Sequence, residues 1–186
     1  SLVISDFKAN NNQTTKILGK DNKITVDNFE SLQVPCLINS CRFSKEWYEQ
    51  NGQTCKNKKS VEIDFVYIDE NRNIHIIELK NGCNFDTKKS KGEVQSLTAT
   101  REACLSSGFN GAEAYIVCYD AERKSDMILK TELGCVKLML FEEMAAMMSI
   151  APGSRGRINR QKQIKAQKNI EKVMEFCKMM CEKYDF

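Results

Sequence analysis

Two short runs of alternating polarity, joined by a polar turn, constrain the fold of this chain more than any other feature. The first run spans 61–66, the second spans 74–79, and the residues 69–73 between them are polar and turn-forming. In the first run apolar side chains occupy every second position, and β-branched or aliphatic residues dominate both runs. This pattern is typical of a pleated, half-buried surface. The segment therefore predicts a β-hairpin.

The hairpin carries charged residues where core side chains would be expected. If the turn is centred near Asn71, residues equally distant from it lie opposite one another, which places Asp64 opposite Glu78 and Glu62 opposite Lys80. Side chains alternate faces with a period of two, so all four are expected on one face. A solvated polar face is the plainer interpretation. However, directly opposed carboxylates destabilise a strand pair by a few tenths to about 1 kcal/mol.

A divalent cation would remove this conflict between Asp64 and Glu78. Hard ions such as Mg²⁺ take oxygen ligands, usually one or two carboxylates together with waters and substrate phosphates. Lys80 would bring a positive charge to the same site, where it can polarise a water or offset negative charge that grows on a phosphate. The hairpin therefore predicts a half-site for Mg²⁺ beside a lysine.

The order Asp64, thirteen further residues, then Glu78-Leu79-Lys80 resembles the PD-(D/E)xK signature of restriction-endonuclease-like nucleases. The resemblance implies that Asp64, Glu78 and the backbone carbonyl of Leu79 bind Mg²⁺, with Mn²⁺ as a possible substitute. It also implies that Lys80 positions or activates the attacking water. Ile63 stands at the proline of the family name, a proline that is often absent. Because nearby carboxylates favour the charged form of a lysine, we expect Lys80 to stay protonated and to orient the nucleophile.

The family core runs helix, strand, strand with the aspartate, strand with the (D/E)xK triplet, helix, strand, and the chain over about 43–120 is expected to follow it. Residues 43–50 have aromatic side chains at helical spacing and are predicted as the first helix. Residues 92–109 are predicted as the second helix, and the apolar run 112–120 as the last strand. The expected fold is α/β, a restriction-endonuclease-like core with a central mixed β-sheet flanked by helices.

Four more polar residues are candidates for the same site. The first family helix often supplies another acidic ligand, which makes Glu46 and Glu49 candidates, with a charged solvent face as the alternative for each. Glu62 is the remaining hairpin carboxylate. Gln95 lies where some relatives place a glutamine near the substrate, and an exposed polar residue is the alternative. His75 is the only histidine; it alternates to the face opposite Glu78 and is predicted to be structural.

Basic residues form two clusters that predict contact with nucleic acid. The interval 144–170 contains no acidic residue but holds Arg155, Arg157 and Arg160, followed by three lysines. Such a run is typical of phosphate-binding segments, with a solvated helix face as the alternative. The other cluster, which directly follows the ExK strand in the loop 81–90 and just beyond it, comprises Lys88, Lys89 and Lys91. Double-stranded DNA is the expected partner.

The C-terminal region is predicted to be a long helix. Pro152 and Gly153 interrupt the chain, and apolar residues between 170 and 184 then recur at spacings of three and four. A basic helix over about 155–184 would pack on the body or on a second subunit, so a homodimer is one expectation. With 186 residues and 41% hydrophobic content, the chain 1–186 is predicted to be a single nuclease domain.

Composition excludes several other classes of protein. No apolar run approaches the length of about 20 residues that a membrane helix needs, which predicts a soluble protein without a membrane partner. The nine cysteines form no CxxC pair and are odd in number, so neither a zinc ribbon nor a disulfide framework is expected. Free thiols predict an intracellular, reducing compartment, either cytoplasm or nucleus.

The expected function is a Mg²⁺-dependent phosphodiesterase that cleaves nucleic acid, with a type II restriction-like DNA endonuclease as the first choice. Another PD-(D/E)xK nuclease, such as a junction resolvase, a repair nuclease or an RNA-cleaving viral endonuclease, would share the site and differ in substrate. A non-catalytic nucleic-acid-binding module is the second alternative. It would need the basic helix but not Asp64, Glu78 and Lys80 together.

Overall fold

The computed structural model describes residues 23–24, 34–54, 60–80, 82, 87–128, 131–150 and 154–184. The chain is an α/β protein with a mixed β-sheet between helices, as the sequence predicts. In chain order its elements are β1 (Lys23–Ile24), β2 (Cys36–Ser44), α1 (Lys45–Gln50), β3 (Ser60–Ile68), β4 (Asn73–Lys80), α2 (Thr87–Ser106), β5 (Gly111–Cys118), a 3₁₀ turn (Lys124–Asp126), β6 (Val136–Leu140), α3 (Phe141–Met147) and α4 (Ser154–Tyr184).

The strands lie in the sheet in the same order as in the chain. Strands β2, β3 and β4 form an antiparallel meander, whereas β4, β5 and β6 are parallel and the two-residue β1 pairs in parallel with β2. A parallel pair needs a crossover connection, and α2 supplies it between β4 and β5. The ends of β4 and β5 that carry Lys80 and Cys118 are therefore brought side by side.

The hairpin of β3 and β4 has the predicted register where its strands pair, but the predicted pairs Asp64–Glu78 and Glu62–Lys80 are not formed, because the pairing ends at Phe65 and Ile77. Phe65 pairs with Ile77 and Ile68 pairs with Ile74, and both pairs are equidistant from Asn71. Asp69 organises the turn, because its Oδ1 accepts hydrogen bonds from the backbone N–H groups of Asn71 at 2.9 Å and Asn73 at 2.8 Å.

Helices cover both faces of the sheet and create two apolar clusters. On one face α1 and α2 pack against β2–β5 through buried residues that include Trp47, Tyr48, Val94 and Leu97. On the other face α3 packs against the strands through buried residues that include Phe141, Met144 and Met148. The methionines of this segment fill core space, as predicted. His75 is stacked between Tyr67 and Tyr115, two residues of the α3-side cluster, which confirms that it faces away from the α2 side.

The helix predicted over 43–50 is present as α1, which begins at Lys45, but its predicted place ahead of the first family strand is wrong. Phe43 and Ser44 belong to β2, and α1 lies between β2 and β3. Ser44 caps the helix by accepting a 3.2 Å hydrogen bond from the N–H of Trp47. The ring of Phe43 packs on Trp47 across the strand–helix junction, with centroids 4.9 Å apart, so the aromatic spacing extends the predicted helix two residues too far.

Helix α2 begins earlier than predicted. It starts at Thr87, so Lys88 and Lys89 lie in its first turn instead of in a loop. Residues 81 and 83–86 of the predicted substrate loop lie outside the described part of the chain. The last core strand, predicted over 112–120, is β5.

The long C-terminal helix is present as α4, but its apolar stripe does not pack on the body where side chains are described. Ile170, Val173 and Met174 are 53%, 62% and 66% exposed. None of the described helices combines the length and the apolar character that crossing a bilayer requires. Six cysteines whose side chains are described are free thiols, and four of them are buried.

Candidate functional site

The candidate site begins where the side chains of β2 and β3 switch to the opposite faces of the sheet at the same level. Val61 and Ile63 belong to the same apolar cluster as Val66, and Phe65 belongs to the opposite one, so the alternation of β3 breaks at Asp64. Strands β2 and β3 pair on both sides of this point, but Ser40 and Asp64, which lie opposite one another there, are not among the paired residues. Ser40 has φ 53°, a left-handed conformation that few non-glycine residues adopt. Asp64 therefore sits at a local break in the sheet.

Strand β4 separates from β3 at the same level. The β3–β4 pairing ends at Phe65 and Ile77, whereas the β4–β5 pairing continues to Lys80. Beyond the last pair, Oδ2 of Asp64 accepts a 2.8 Å hydrogen bond from the backbone N–H of Leu79. A side-chain carboxylate thus satisfies a backbone donor that a strand neighbour would otherwise satisfy.

Glu78 and Lys80 lie on the α2 face of β4, because they continue the alternation of the buried residues Ile74 and Ile76. Leu79 packs instead with the α3-side cluster. The side chains of Glu78 and Lys80 are 19% and 16% exposed, and Lys80 Nζ lies 2.9 Å from Glu78 Oε1. The common face predicted for these two residues is confirmed.

A third charged residue, Glu93 of α2, completes this cluster. Its Oε1 lies 2.7 Å from Lys80 Nζ, and its side chain is 18% exposed. Sequence reasoning missed Glu93, although a signal was present. Glu93 is four residues before Leu97, the buried residue through which α2 packs on the sheet, and residues four apart share one helix face.

Electrostatics in this cluster favour a charged lysine and disfavour a charged Glu78. Burial lowers the pKa of Lys80, but the hydrogen bonds to Glu78 and Glu93 outweigh burial and hold that pKa above its usual value. Burial raises the pKa of Glu78, and the negative charges of Asp64 and Glu93 raise it further against the opposing effect of Lys80. The raised pKa of Lys80 agrees with the protonated state predicted for it. The three carboxylates have more negative charge than one ammonium group can balance.

A small cleft opens between β3 and α2 beside these carboxylates. It measures about 150 Å³, and the residues that line it include Glu78, Gly92, Glu93 and Ser96. A Cβ atom built on Gly92 would meet nothing within 4 Å, so this edge of the cleft is open. The charged cluster is therefore accessible from the α2 side.

The other predicted site residues lie on the surface. Glu62 does not share the face of Glu78, because β3 changes phase at Asp64. Its Oε2 lies 2.9 Å from Nε of Arg42, its partner across the strands. Glu49 is exposed and lies 3.3 Å from Lys45, and Glu46 and Gln95 are exposed on α1 and α2.

Of the predicted phosphate-binding residues, Lys91 is exposed on α2, two residues before Glu93. Lys88 and Lys89 belong to the first turn of α2. Arg155, Arg157 and Arg160 belong to the first two turns of α4. The side chains of these last five residues lie outside the described part of the structure.

Comparison with protein-family models, with curated proteins and with solved structures finds no match. In the described residues no three or more His, Cys, Asp or Glu side chains stand close enough together to form a metal-binding group. The geometry that defines the candidate site is that of Asp64 where the strands separate, and of Lys80 between Glu78 and Glu93.

Proposed function

We propose that this chain is a Mg²⁺-dependent phosphodiesterase that cleaves nucleic acid, built on a restriction-endonuclease-like core, with a restriction-type DNA endonuclease as the first candidate. The observation that supports this most lies where β3 and β4 separate: Asp64 accepts a hydrogen bond from the backbone N–H of Leu79, and the residues on either side of Leu79, Glu78 and Lys80, contact each other. The signature described above consists of two acidic residues on neighbouring strands and a lysine two residues beyond the second of them.

The donor chemistry at this point suits a hard divalent cation. Carboxylate oxygens are the preferred ligands of Mg²⁺, and the pKa of Glu78 is raised by burial and by the charges of Asp64 and Glu93 although Lys80 opposes this shift. Asp64 and Glu78 would hold the ion, with the carbonyl of Leu79 as the third candidate. When bound, Mg²⁺ would lower the pKa of a coordinated water and offset charge on the phosphate.

Lys80 would act as an orienting cation. An ammonium group has three N–H donors, and Glu78 and Glu93 each accept one of them. The third donor is suited to a water nucleophile or to a phosphate oxygen. Because its pKa is raised, Lys80 keeps its proton at neutral pH and does not serve as a general base.

The order of elements around the site also supports the proposal. The aspartate strand β3, the ExK strand β4, the crossover helix α2 and the parallel strand β5 follow one another as in the family core. The first family helix has no counterpart at the predicted position, since α1 follows β2. The basic residues that begin α2 would supply contacts to phosphates, and duplex DNA is the proposed substrate, bound by one chain or by a homodimer.

A cleavage assay with three substrates tests the proposal. Purified protein is incubated with supercoiled plasmid, single-stranded DNA and RNA, with Mg²⁺, Mn²⁺ or chelator. Metal-dependent cleavage of the plasmid is expected, with loss of cleavage in Glu78→Gln and retention in Glu113→Ala. The latter removes a carboxylate whose Oε1 lies 2.8 Å from Lys137 Nζ, in a more exposed ion pair. Cleavage of RNA alone would support one of the related nuclease classes instead.

A non-catalytic nucleic-acid-binding module is the second candidate. The observation that favours it is that Lys80 donates hydrogen bonds to both Glu78 and Glu93, so the Glu78 carboxylate is already engaged in an ion pair. If this reading is right, calorimetry will detect no Mn²⁺ binding that depends on Asp64 or Glu78. The variants Asp64→Asn and Glu78→Gln will then bind DNA like the wild-type protein, and no substrate will be cleaved.

A further inference from the structure

Lys80 is held from two sides by carboxylates that belong to different elements. Glu78 approaches from β4, the strand of Lys80 itself, and Glu93 approaches from α2 at the shorter distance of 2.7 Å. The two carboxylates do not have the same task if the proposed function is correct. Glu78 is a proposed cation ligand, whereas nothing in the proposed function requires Glu93.

We infer that Glu93 is a positioning residue, which keeps the Lys80 ammonium group at the site while Glu78 binds the cation. This inference rests on the proposed function. A carboxylate that turns its electron pairs to a divalent cation becomes a poorer acceptor for Lys80. The long, flexible side chain of lysine would then be free to adopt other rotamers. The second hydrogen bond, to Glu93, prevents this loss of position.

Glu93 is anchored well enough for this role. Val94 and Leu97, the residues one and four positions further along α2, are 8% and 1% exposed in the core. One turn beyond Leu97, Thr100 is buried, and its hydroxyl lies 2.5 Å from that of Tyr48 in α1. A helix packed at these positions fixes the backbone of Glu93 relative to the sheet. The Glu93 carboxylate therefore holds Nζ of Lys80 at a defined position.

A set of three variants separates position from charge. Glu93→Gln keeps the length and a carbonyl oxygen as hydrogen-bond acceptor, Glu93→Ala removes the acceptor, and Glu113→Ala removes an unrelated carboxylate from its ion pair with Lys137. We expect Glu93→Ala to lower kcat by roughly 10-fold to 10²-fold, the scale of effect that a small misplacement of a catalytic group produces. KM and the Kd for Mn²⁺ should stay unchanged. Glu93→Gln should retain most of the activity, and Glu113→Ala all of it.

Other outcomes would overturn the inference. If Glu93→Gln and Glu93→Ala both weaken Mn²⁺ binding, Glu93 is a metal ligand and not a positioning residue. If Glu93→Ala lowers Tm but leaves kcat unchanged, its role is structural only. If Glu93→Ala does not fold, Glu93→Gln decides the question: unchanged Mn²⁺ affinity with most of kcat retained supports positioning, and a loss of either refutes it.

A measurement that needs no catalysis separates this inference from the proposed function. The ¹⁵N-labelled ammonium group of a hydrogen-bonded lysine gives a slowly exchanging NMR signal, which Lys80→Arg would assign. With Mg²⁺ added, the Lys80 signal should persist in the wild-type protein and in Glu93→Gln, and disappear in Glu93→Ala. Persistence in Glu93→Ala would refute the inference. A wild-type protein that cleaves no substrate would refute the proposed function alone.

Discussion

Ser40 of β2 lies opposite Asp64 of β3, and both strands change the face of their side chains at this pair. The left-handed conformation of Ser40, with φ 53°, marks the break on β2. On β3 the break turns the carboxylate of Asp64 toward the N–H of Leu79, beyond the last β3–β4 pair. Backbone geometry in β2 is thus tied to the position of an acidic side chain in the site.

The first prediction concerns Ser40. A left-handed conformation costs a residue with a Cβ atom about 1–2 kcal/mol, and glycine avoids this cost. Ser40 already bears it, and a β-branched residue tolerates this conformation less than serine does. Ser40→Val should therefore lower the free energy of unfolding, and Ser40→Gly should leave it unchanged or raise it. Ser60→Val is the control, since Ser60 lies in regular β3 pairing with Ser44. Equal losses in both valine variants, measured by urea unfolding, would contradict strain at Ser40.

The second prediction concerns Asp64. Asp64→Ala leaves the N–H of Leu79 without its acceptor, which should lower the free energy of unfolding by about 1–3 kcal/mol. Asp64→Asn keeps an oxygen for this hydrogen bond and should remain close to wild type in stability. Both variants should nevertheless lose cleavage in Mg²⁺, because neither has a carboxylate ligand. An Asp64→Asn protein that cleaves at the wild-type rate would exclude Asp64 from the metal site.

The third prediction concerns the role of Lys80 in turnover. Lys80→Ala should lower activity by a factor of about 10² or more, comparable to the removal of an oxyanion-hole donor. Binding of DNA should weaken little, since one phosphate contact among several contributes a small share. Single-turnover rates and binding in chelator separate the two effects. If binding falls as much as turnover, Lys80 is an anchoring cation and the orienting role is wrong.

The fourth prediction concerns stability and pH in Lys80→Met. Burial and neighbouring charges hold the pKa of Glu78 above its usual value, so Glu78 contributes stability below its unfolded-state pKa and loses it as pH rises through the folded-state pKa. Without Lys80 the ionised forms of Glu78 and Glu93 lose their shared counter-charge. Lys80→Met should therefore be destabilised more at about pH 8 than at about pH 5, where carboxyls begin to take up protons. Equal destabilisation at both values would indicate that only packing is lost.

Local pattern was sufficient to predict the hairpin and its register. Apolar residues at every second position and a polar turn centred on Asn71 leave few alternatives, because a slip of one residue would turn the apolar side chains to the wrong face. The strand β5, the helix α4 and the core methionines of α3 were also predictable from continuous apolar or periodic runs.

Three features depend on tertiary packing and were not predictable from local pattern. The phase change at Ser40 and Asp64 has no composition signal; as a result the Glu62 carboxylate contacts Arg42 on the other face of the sheet, although Glu62 lines the same cleft as Glu78. The contact between Phe43 and Trp47 imitates helical spacing across a strand end. Glu93 joins Lys80 only because α2 crosses back over the sheet, and a separation of thirteen residues in sequence does not reveal this.

The last prediction concerns the acid-free interval 144–170 and the arginines at the start of α4. A protein that neutralises duplex phosphates releases counterions, so the logarithm of its affinity falls linearly with the logarithm of salt concentration, with a slope near −0.9 per phosphate. Replacing Arg155, Arg157 and Arg160 by Gln should weaken duplex binding and flatten this slope by up to about three units, one for each charge. The affinity for Mn²⁺ should not change, because the proposed metal site lies on the β3–β4 hairpin.

A control with the same change in net charge makes this result specific. Lys45, Lys124 and Lys137 are each ion-paired with a carboxylate, so their replacement by Gln should change the salt slope little. If both triple variants flatten the slope equally, the effect comes from overall charge and not from a binding surface. If the arginine variant leaves the slope unchanged, these arginines face solvent. The phosphate-binding surface must then be sought at the start of α2, where Lys91 is exposed and the chain continues directly to Glu93.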